Sequence, residues 1–182
     1  MVTTDYVKLM AAYTNWQNIN LYNAVDSLSD KERNLDRGAF FDSIHATLNH
    51  LLWGDQIWLH RLAGLPKPEF LAKLPMPEAS SISESKTMFP DWQALRQVRK
   101  STDQAILEWS KCITADDLEG ELSWFSGAMQ ADITRPRWAL IIQLFNHGTH
   151  HRGQVHAMLT AAGAKPNDTD VPFMPADFYD WS

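Results

Sequence analysis

Apolar residues recur at helical spacing in four long stretches of the chain, and polar or proline-rich segments separate them. The first stretch, residues 5–28, places Tyr6, Leu9, Met10, Tyr13 and Trp16 three or four residues apart, with Asp5 positioned to cap it. The second, from Phe40 to Ala63, carries a stripe of Phe41, Ile44, Leu48, Leu51, Leu52, Leu59 and Leu62 before Gly64 stops it. A third helix is predicted from Pro90, a good first-turn residue, to Ile113, through Trp92, Leu95, Val98, Ala105, Ile106, Trp109 and Ile113. The fourth runs from Pro136 to Ala162, with Gly163 at its C-cap.

The connections differ in kind. Leu65 to Phe89 holds Pro66, Pro68, Pro75 and Pro77 and then a serine-rich patch, so it cannot be one helix and suits a crossover along the outside. Glu121 to Arg135 alternates weakly around Gly127 and reads as a loop or short hairpin. The tail, 164–182, carries Phe173, Phe178, Tyr179 and Trp181, aromatics that predict packing against the body. Four long helices with extended crossovers predict an all-α fold, an antiparallel four-helix bundle in a single domain.

Composition narrows the chemistry. The chain has 182 residues and a formal charge of −6, and this acidity argues against a nucleic-acid partner. No apolar run reaches the roughly 18 residues of a membrane span, and the first residues lack the basic and apolar regions of a secretion signal, so a cytoplasmic protein is expected. The single cysteine, Cys112, excludes cysteine-cluster metal sites and reads as a small core residue. No phosphate-binding glycine loop, His-Glu-x-x-His or nucleophile elbow is present.

What remains is a concentration of histidines. Four of seven lie in Asn146-His-Gly-Thr-His-His-Arg-Gly-Gln-Val-His. His147 and His151, one turn apart, can share a metal ion. The helix's apolar face is Leu140, Ile141, Leu144, Gly148, Val155, Met158 and Leu159; His151 falls within it and His147 on its flank. Gly148 at the centre leaves room for a neighbouring helix. Inward imidazoles are costly unless paired, and a metal would pair them.

A third ligand is expected from the second helix. His50 shares a face with Thr47, Gly54 and Ile57, where Gly54 leaves room for an incoming partner; His45 is its rival, and His60 falls toward solvent. Asp55, within the apolar stripe, is either an acceptor behind a ligand, the partner of a buried arginine such as Arg152, or a partly exposed carboxylate. Gln154 either bonds a ligand imidazole or lies on the surface. His45, His60, His150 and His156 otherwise read as structural or solvated. Most tryptophans at helical spacing read as core or interface, whereas Trp124, in the loop before the fourth helix, is placed to reach a metal mouth.

The runs Thr47-Leu-Asn-His-Leu-Leu-Trp-Gly-Asp-Gln-Ile-Trp-Leu and Asn146-His-Gly-Thr-His-His-Arg-Gly-Gln-Val-His closely resemble the two signature helices of the DinB family of damage-inducible metalloproteins. The resemblance extends over nearly the whole chain. It implies an antiparallel four-helix bundle, often dimeric, with a three-histidine divalent-metal site whose ligands match His50, His147 and His151. Most members have no assigned reaction, while relatives include thiol-dependent S-transferases and a maleylpyruvate isomerase.

The expectation is therefore a metal-dependent hydrolase or thiol S-transferase acting on a small molecule, with a low-molecular-weight thiol as the candidate co-substrate of the transferase. A non-catalytic metal-binding stress protein is the alternative. Zinc or nickel leads the candidate ions, with iron, cobalt and copper behind.

Overall fold

The computed structural model describes residues 2–64, 68–74 and 76–179. Seven α-helices occur among them: α1 (Thr4–Val25), α2 (Asp30–Arg33), α3 (Ile44–Leu62), α4 (Glu69–Ala72), α5 (Ile82–Ser85), α6 (Trp92–Cys112) and α7 (Arg137–Ala161). One antiparallel hairpin, β1 (Glu121–Ser126) and β2 (Ala131–Pro136), stands before α7. The fold is thus mostly helical rather than purely so. Pro66 and Pro75 of the crossover and Trp181 of the tail lie outside the described residues.

Helix ends follow from local chemistry. Thr3, not Asp5, caps α1, its hydroxyl accepting from Tyr6 N–H. The second long helix begins at Ile44 instead of Phe40, because Ser43 caps it and Asp42 sits in left-handed backbone with φ +64°. Phe41 is nonetheless buried, reaching the core from this turn. Gly64 and Gly163, with φ of +77° and +82°, follow α3 and α7 as the sequence predicts.

Helix α1 packs against α6 and α7, and α3 packs against the same two. Two apolar clusters fill the interior. One gathers Val7, Leu59, Ile106 and Phe145; the other gathers Leu21, Leu52, Leu95 and Val155. Each long helix passes from one cluster to the other, so α1 and α7 run one way and α3 and α6 run the other. The antiparallel expectation holds for the α1–α6 and α3–α7 pairs but not for α1 and α7 or for α3 and α6, neighbours that run parallel. A parallel pair needs a connection that returns along the length of the helices, and of the segment between α3 and α6 residues 63–64, 68–74 and 76–91 are described.

Between the clusters lies a polar layer. Thr14 and Asn18 of α1, Asp55 and Gln56 of α3, Arg99, Thr102 and Asp103 of α6, and Arg152 of α7 are all buried there. This layer also shapes the buried face of α1. The helix's buried residues are Val7, Ala11, Ala12, Thr14, Trp16, Gln17, Asn18, Leu21, Tyr22 and Val25, small and polar at Thr14 and Asn18 where it meets the layer; of the large residues read from the sequence Trp16 is buried, whereas Tyr6, Leu9, Met10 and Tyr13 are half-buried.

The crossover is pinned to α3 by side chains of that helix. His45 Nε2 lies 2.7 Å from Phe89 O, and the Asn49 amide both donates to Phe89 O and accepts from Phe89 N–H. Trp53 Nε1 donates to Ala79 O at 2.8 Å, and His60 Nε2 lies 2.8 Å from Leu74 O. His60 is therefore buried, not solvated, because the crossover covers it. The tail also packs back: Tyr13 Oη donates to Thr169 O and Met174 is buried, whereas Phe173 and Tyr179, two of the aromatics expected to do this, are exposed. Cys112, expected in the core, is exposed at the end of α6.

Candidate metal centre

Helix α7 presents His147 and His151 one turn apart, and α3 presents His50 against them. One ring nitrogen from each lies within 4.8 Å of the others. His50 Nε2 stands 3.2 Å from His147 Nε2, and the His147 and His151 ring centres are 4.5 Å apart. Gly54 makes this approach possible, as the sequence anticipates: a Cβ there would lie 2.6 Å from His147 Cε1. His45 is excluded as the third member of the cluster by its bond to Phe89 O.

The hydrogen bonds around the cluster decide which nitrogens are bare. Ser85 Oγ donates to Ile82 O at 2.7 Å, so toward His50 it can only accept, and it takes the Nδ1–H at 2.9 Å. Gln154 Oε1 accepts from His151 Nδ1–H at 2.8 Å. Both imidazoles are thereby held with unprotonated Nε2 lone pairs turned to the common centre, the tautomer that metal coordination requires.

The environment keeps the rings neutral. Burial pushes His50 down to about 3 and His151 down to about 4, with the neighbouring histidines adding to the shift; burial also lowers His147. Phe41 contributes to that burial, stacking on His50 with ring centres 4.0 Å apart and standing 5.4 Å from His151. The chemistry of this donor set fits a divalent ion: three neutral imidazoles, two already oriented by partners behind them.

Other expectations resolve differently. Asp55 is buried, but its partner is Arg99, with Nη1 2.7 Å from Oδ2, not Arg152. Arg99 also pairs with Asp103 at 2.8 Å, and Asp103 accepts from Asn18 at 2.8 Å. Arg99 thus bridges two buried carboxylates. Asp55 acts on His147 and His151 through its charge, favouring their protonation against the larger effect of burial. Gly148 accommodates the Arg152 guanidinium, whose Nη1 lies 2.8 Å from where its Cβ would be, rather than a neighbouring helix.

His150 is exposed and His156 half-buried. Trp124 does not reach the histidines; it packs edge-on against Trp58, and Arg61 lies over both rings. Ser85 was missed from sequence. Its signal was Ser81-x-x-Glu84, a capping pattern realised as the short helix α5, which carries Ser85 to His50.

A mostly helical protein with a largely buried histidine triad, two of its rings oriented by partners, between two antiparallel helices is the class that fold and site define. The DinB family model matches residues 1–177, and the chain belongs to the DinB family. Among curated proteins, the chain is similar to Protein DinB of Bacillus subtilis (strain 168), 25% identical over 171 residues, which is 92% of each chain. No solved structure matches it.

Proposed function

We propose that His50, His147 and His151 hold one divalent metal ion, and that the protein is a metal-dependent enzyme acting on a small molecule. The observation that carries this is the pair of Nδ1–H groups committed to Ser85 and Gln154, which leaves bare Nε2 atoms converging on one point. Three protein ligands leave coordination positions for water or substrate, the layout of catalytic rather than structural sites. A bound ion would supply Lewis acidity, lowering the pKa of a water or a substrate thiol and polarising an oxygen.

The chain's own residues orient the ligands, and Phe41 shields two of them from water. That chemistry serves a hydrolase or a thiol S-transferase, the latter drawing on a low-molecular-weight thiol. Zinc or nickel suits three imidazoles best, and iron, cobalt and copper also fit. The four long helices form one four-helix bundle in this reading, and the protein works as a cytoplasmic homodimer. Among the described residues no helix is long and apolar enough to cross a membrane.

The test is elemental analysis of the untagged protein beside His50→Ala and His147→Ala. About one metal per chain, lost in both variants, is expected. Retention in His50→Ala removes His50 from the ligand set, and absence from wild type after reconstitution overturns the metal reading. Cobalt-substituted protein then separates enzyme from binder. Exchangeable water and metal-dependent turnover of thiol–electrophile pairs, esters or amides are expected; a closed coordination sphere without turnover identifies a non-catalytic metal-binding protein instead.

A further inference from the structure

Consecutive residues of α7 face different neighbours. His151 meets His50 of α3, while Arg152 meets Tyr13 of α1, its guanidinium carbon 5.7 Å from the Tyr13 ring centre. Arg152 is 4% exposed, yet among the described residues it forms no ion pair. The two buried carboxylates of the polar layer, Asp55 and Asp103, are both bonded to Arg99. Arg152 Nη2 donates to Thr149 Oγ1 at 3.2 Å, and Nη1 has no hydrogen-bond partner among the described residues. A buried guanidinium with no bonded anion is an expensive arrangement; burial works against its charge, and the Asp55 and Asp103 carboxylates offset only part of that from a distance.

Arg152 borders a cavity of about 250 Å3 between α1 and α7. Tyr13 and Gln17 form one wall, Thr149 and His156 the other, and Thr169 of the tail lies across it. The tail is fixed there by Tyr13 Oη donating to Thr169 O at 2.7 Å and Gln17 Nε2 donating to Asp168 O at 3.0 Å. Among the described residues no carboxylate lines this cavity, and Arg152 is the one charged side chain in its wall. An arginine fork matches a planar or tetrahedral oxyanion, which it can grip through two N–H groups.

We propose that this cavity is a binding site for a small oxyanion, a carboxylate or a phosphate group, gripped by Arg152 beneath the C-terminal tail. It lies on the α1 side of α7 and needs no metal at the histidine triad, so it stands independently of the function proposed above. Thr169 and His156 supply further hydrogen-bonding groups around the ligand, and the tail retains it.

Titration calorimetry of the metal-free, full-length protein with inorganic phosphate and with acetate tests the proposal. Saturable binding is expected, and whichever anion binds more tightly identifies the ligand class. Arg152→Gln should abolish it. Because that change lies in the interior, Gly153→Leu provides a second arm: Gly153 borders the cavity, and a Cβ there meets nothing within 4 Å. The leucine should fill the space with the helix intact and remove anion binding, while metal content stays at the wild-type level. Failure of both anions to bind wild type, or binding unchanged in a folded Gly153→Leu protein, overturns the proposal.

Discussion

Gly54 on α3 and His147 on α7 occupy the same space: a methyl group on Gly54 would lie 2.6 Å from His147 Cε1. Such a contact forces the imidazole to move, and the imidazole is one of the three that converge. Gly54→Ala should therefore separate stability from site geometry. Replacing a mid-helix glycine favours the helix by up to about 1 kcal/mol. The urea midpoint should hold or rise while metal affinity falls roughly tenfold or more, as when a metal ligand loses its support. Unchanged affinity would show that His147 is not positioned by this packing.

Ser85 offers a test from behind the ligand. Its hydroxyl accepts from His50 Nδ1–H and donates a hydrogen bond to Ile82 O. Ser85→Ala removes the acceptor, frees the ring to change tautomer and leaves the helix cap at Ser81 in place. Metal affinity should fall on the order of 10–100-fold with little change in far-ultraviolet circular dichroism. Competition against a chelating dye would measure it, and Ser85→Thr should recover part of the loss by restoring the hydroxyl.

These two residues mark what could and could not be read from the chain. His147, His151 and Gly54 announce themselves through helical spacing, because one turn of helix fixes which side chains share a face. The choice of His50 over His45 was closer, since both border the core face of α3. Only the crossover settles it, by giving His45 the carbonyl of Phe89 and His50 the hydroxyl of Ser85. Ser85 lies 35 residues from His50 along the chain, and periodicity says nothing about contacts between segments so far apart. The same limit hid the partner of Asp55: a buried carboxylate on α3 demands a cation, but spacing cannot choose between Arg99 and Arg152. Trp124 failed for a related reason, as the hairpin register carries it to Trp58 at the far end of α3.

Acid should weaken the metal-free fold through the triad. His50 and His151 titrate at about 3 and 4 in the folded protein, well below the ordinary 6.5, because burial disfavours their charged forms. Over that interval the unfolded chain binds protons that the native state does not, so stability rises with pH. The contribution is complete above about 6.5 and is lost as pH falls through 6.5 toward 4 and 3. Asp103 acts with the opposite sign: burial raises it from 3.8 to about 6, so between those values the native state holds the extra proton. Urea midpoints from pH 7 to pH 4.5 should fall in wild type and fall less in His151→Leu, which removes one titrating imidazole. Equal slopes would refute a buried neutral His151.

The ion network beneath the triad sets the last expectation. Asp55 and Asp103 flank Arg99, and all three are buried. Two carboxylates share one guanidinium, so removing either acid leaves the other paired, whereas removing the arginine leaves two anions facing each other. Arg99→Met should thus cost more than Asp55→Asn. Breaking a buried pair from one side typically costs about 3–5 kcal/mol, and the arginine variant should reach or exceed the upper end. Asp55→Asn keeps an acceptor for Arg99 and should fall below the lower end. It also withdraws the carboxylate whose charge favours protonation of His147 and His151. Both should then stay neutral to still lower pH, and metal binding should withstand acid slightly better than in wild type. Chevron or equilibrium urea unfolding gives the stability ranking, and metal release followed against pH gives the second comparison. An Arg99→Met protein as stable as Asp55→Asn would mean that the polar layer holds its charges through other partners.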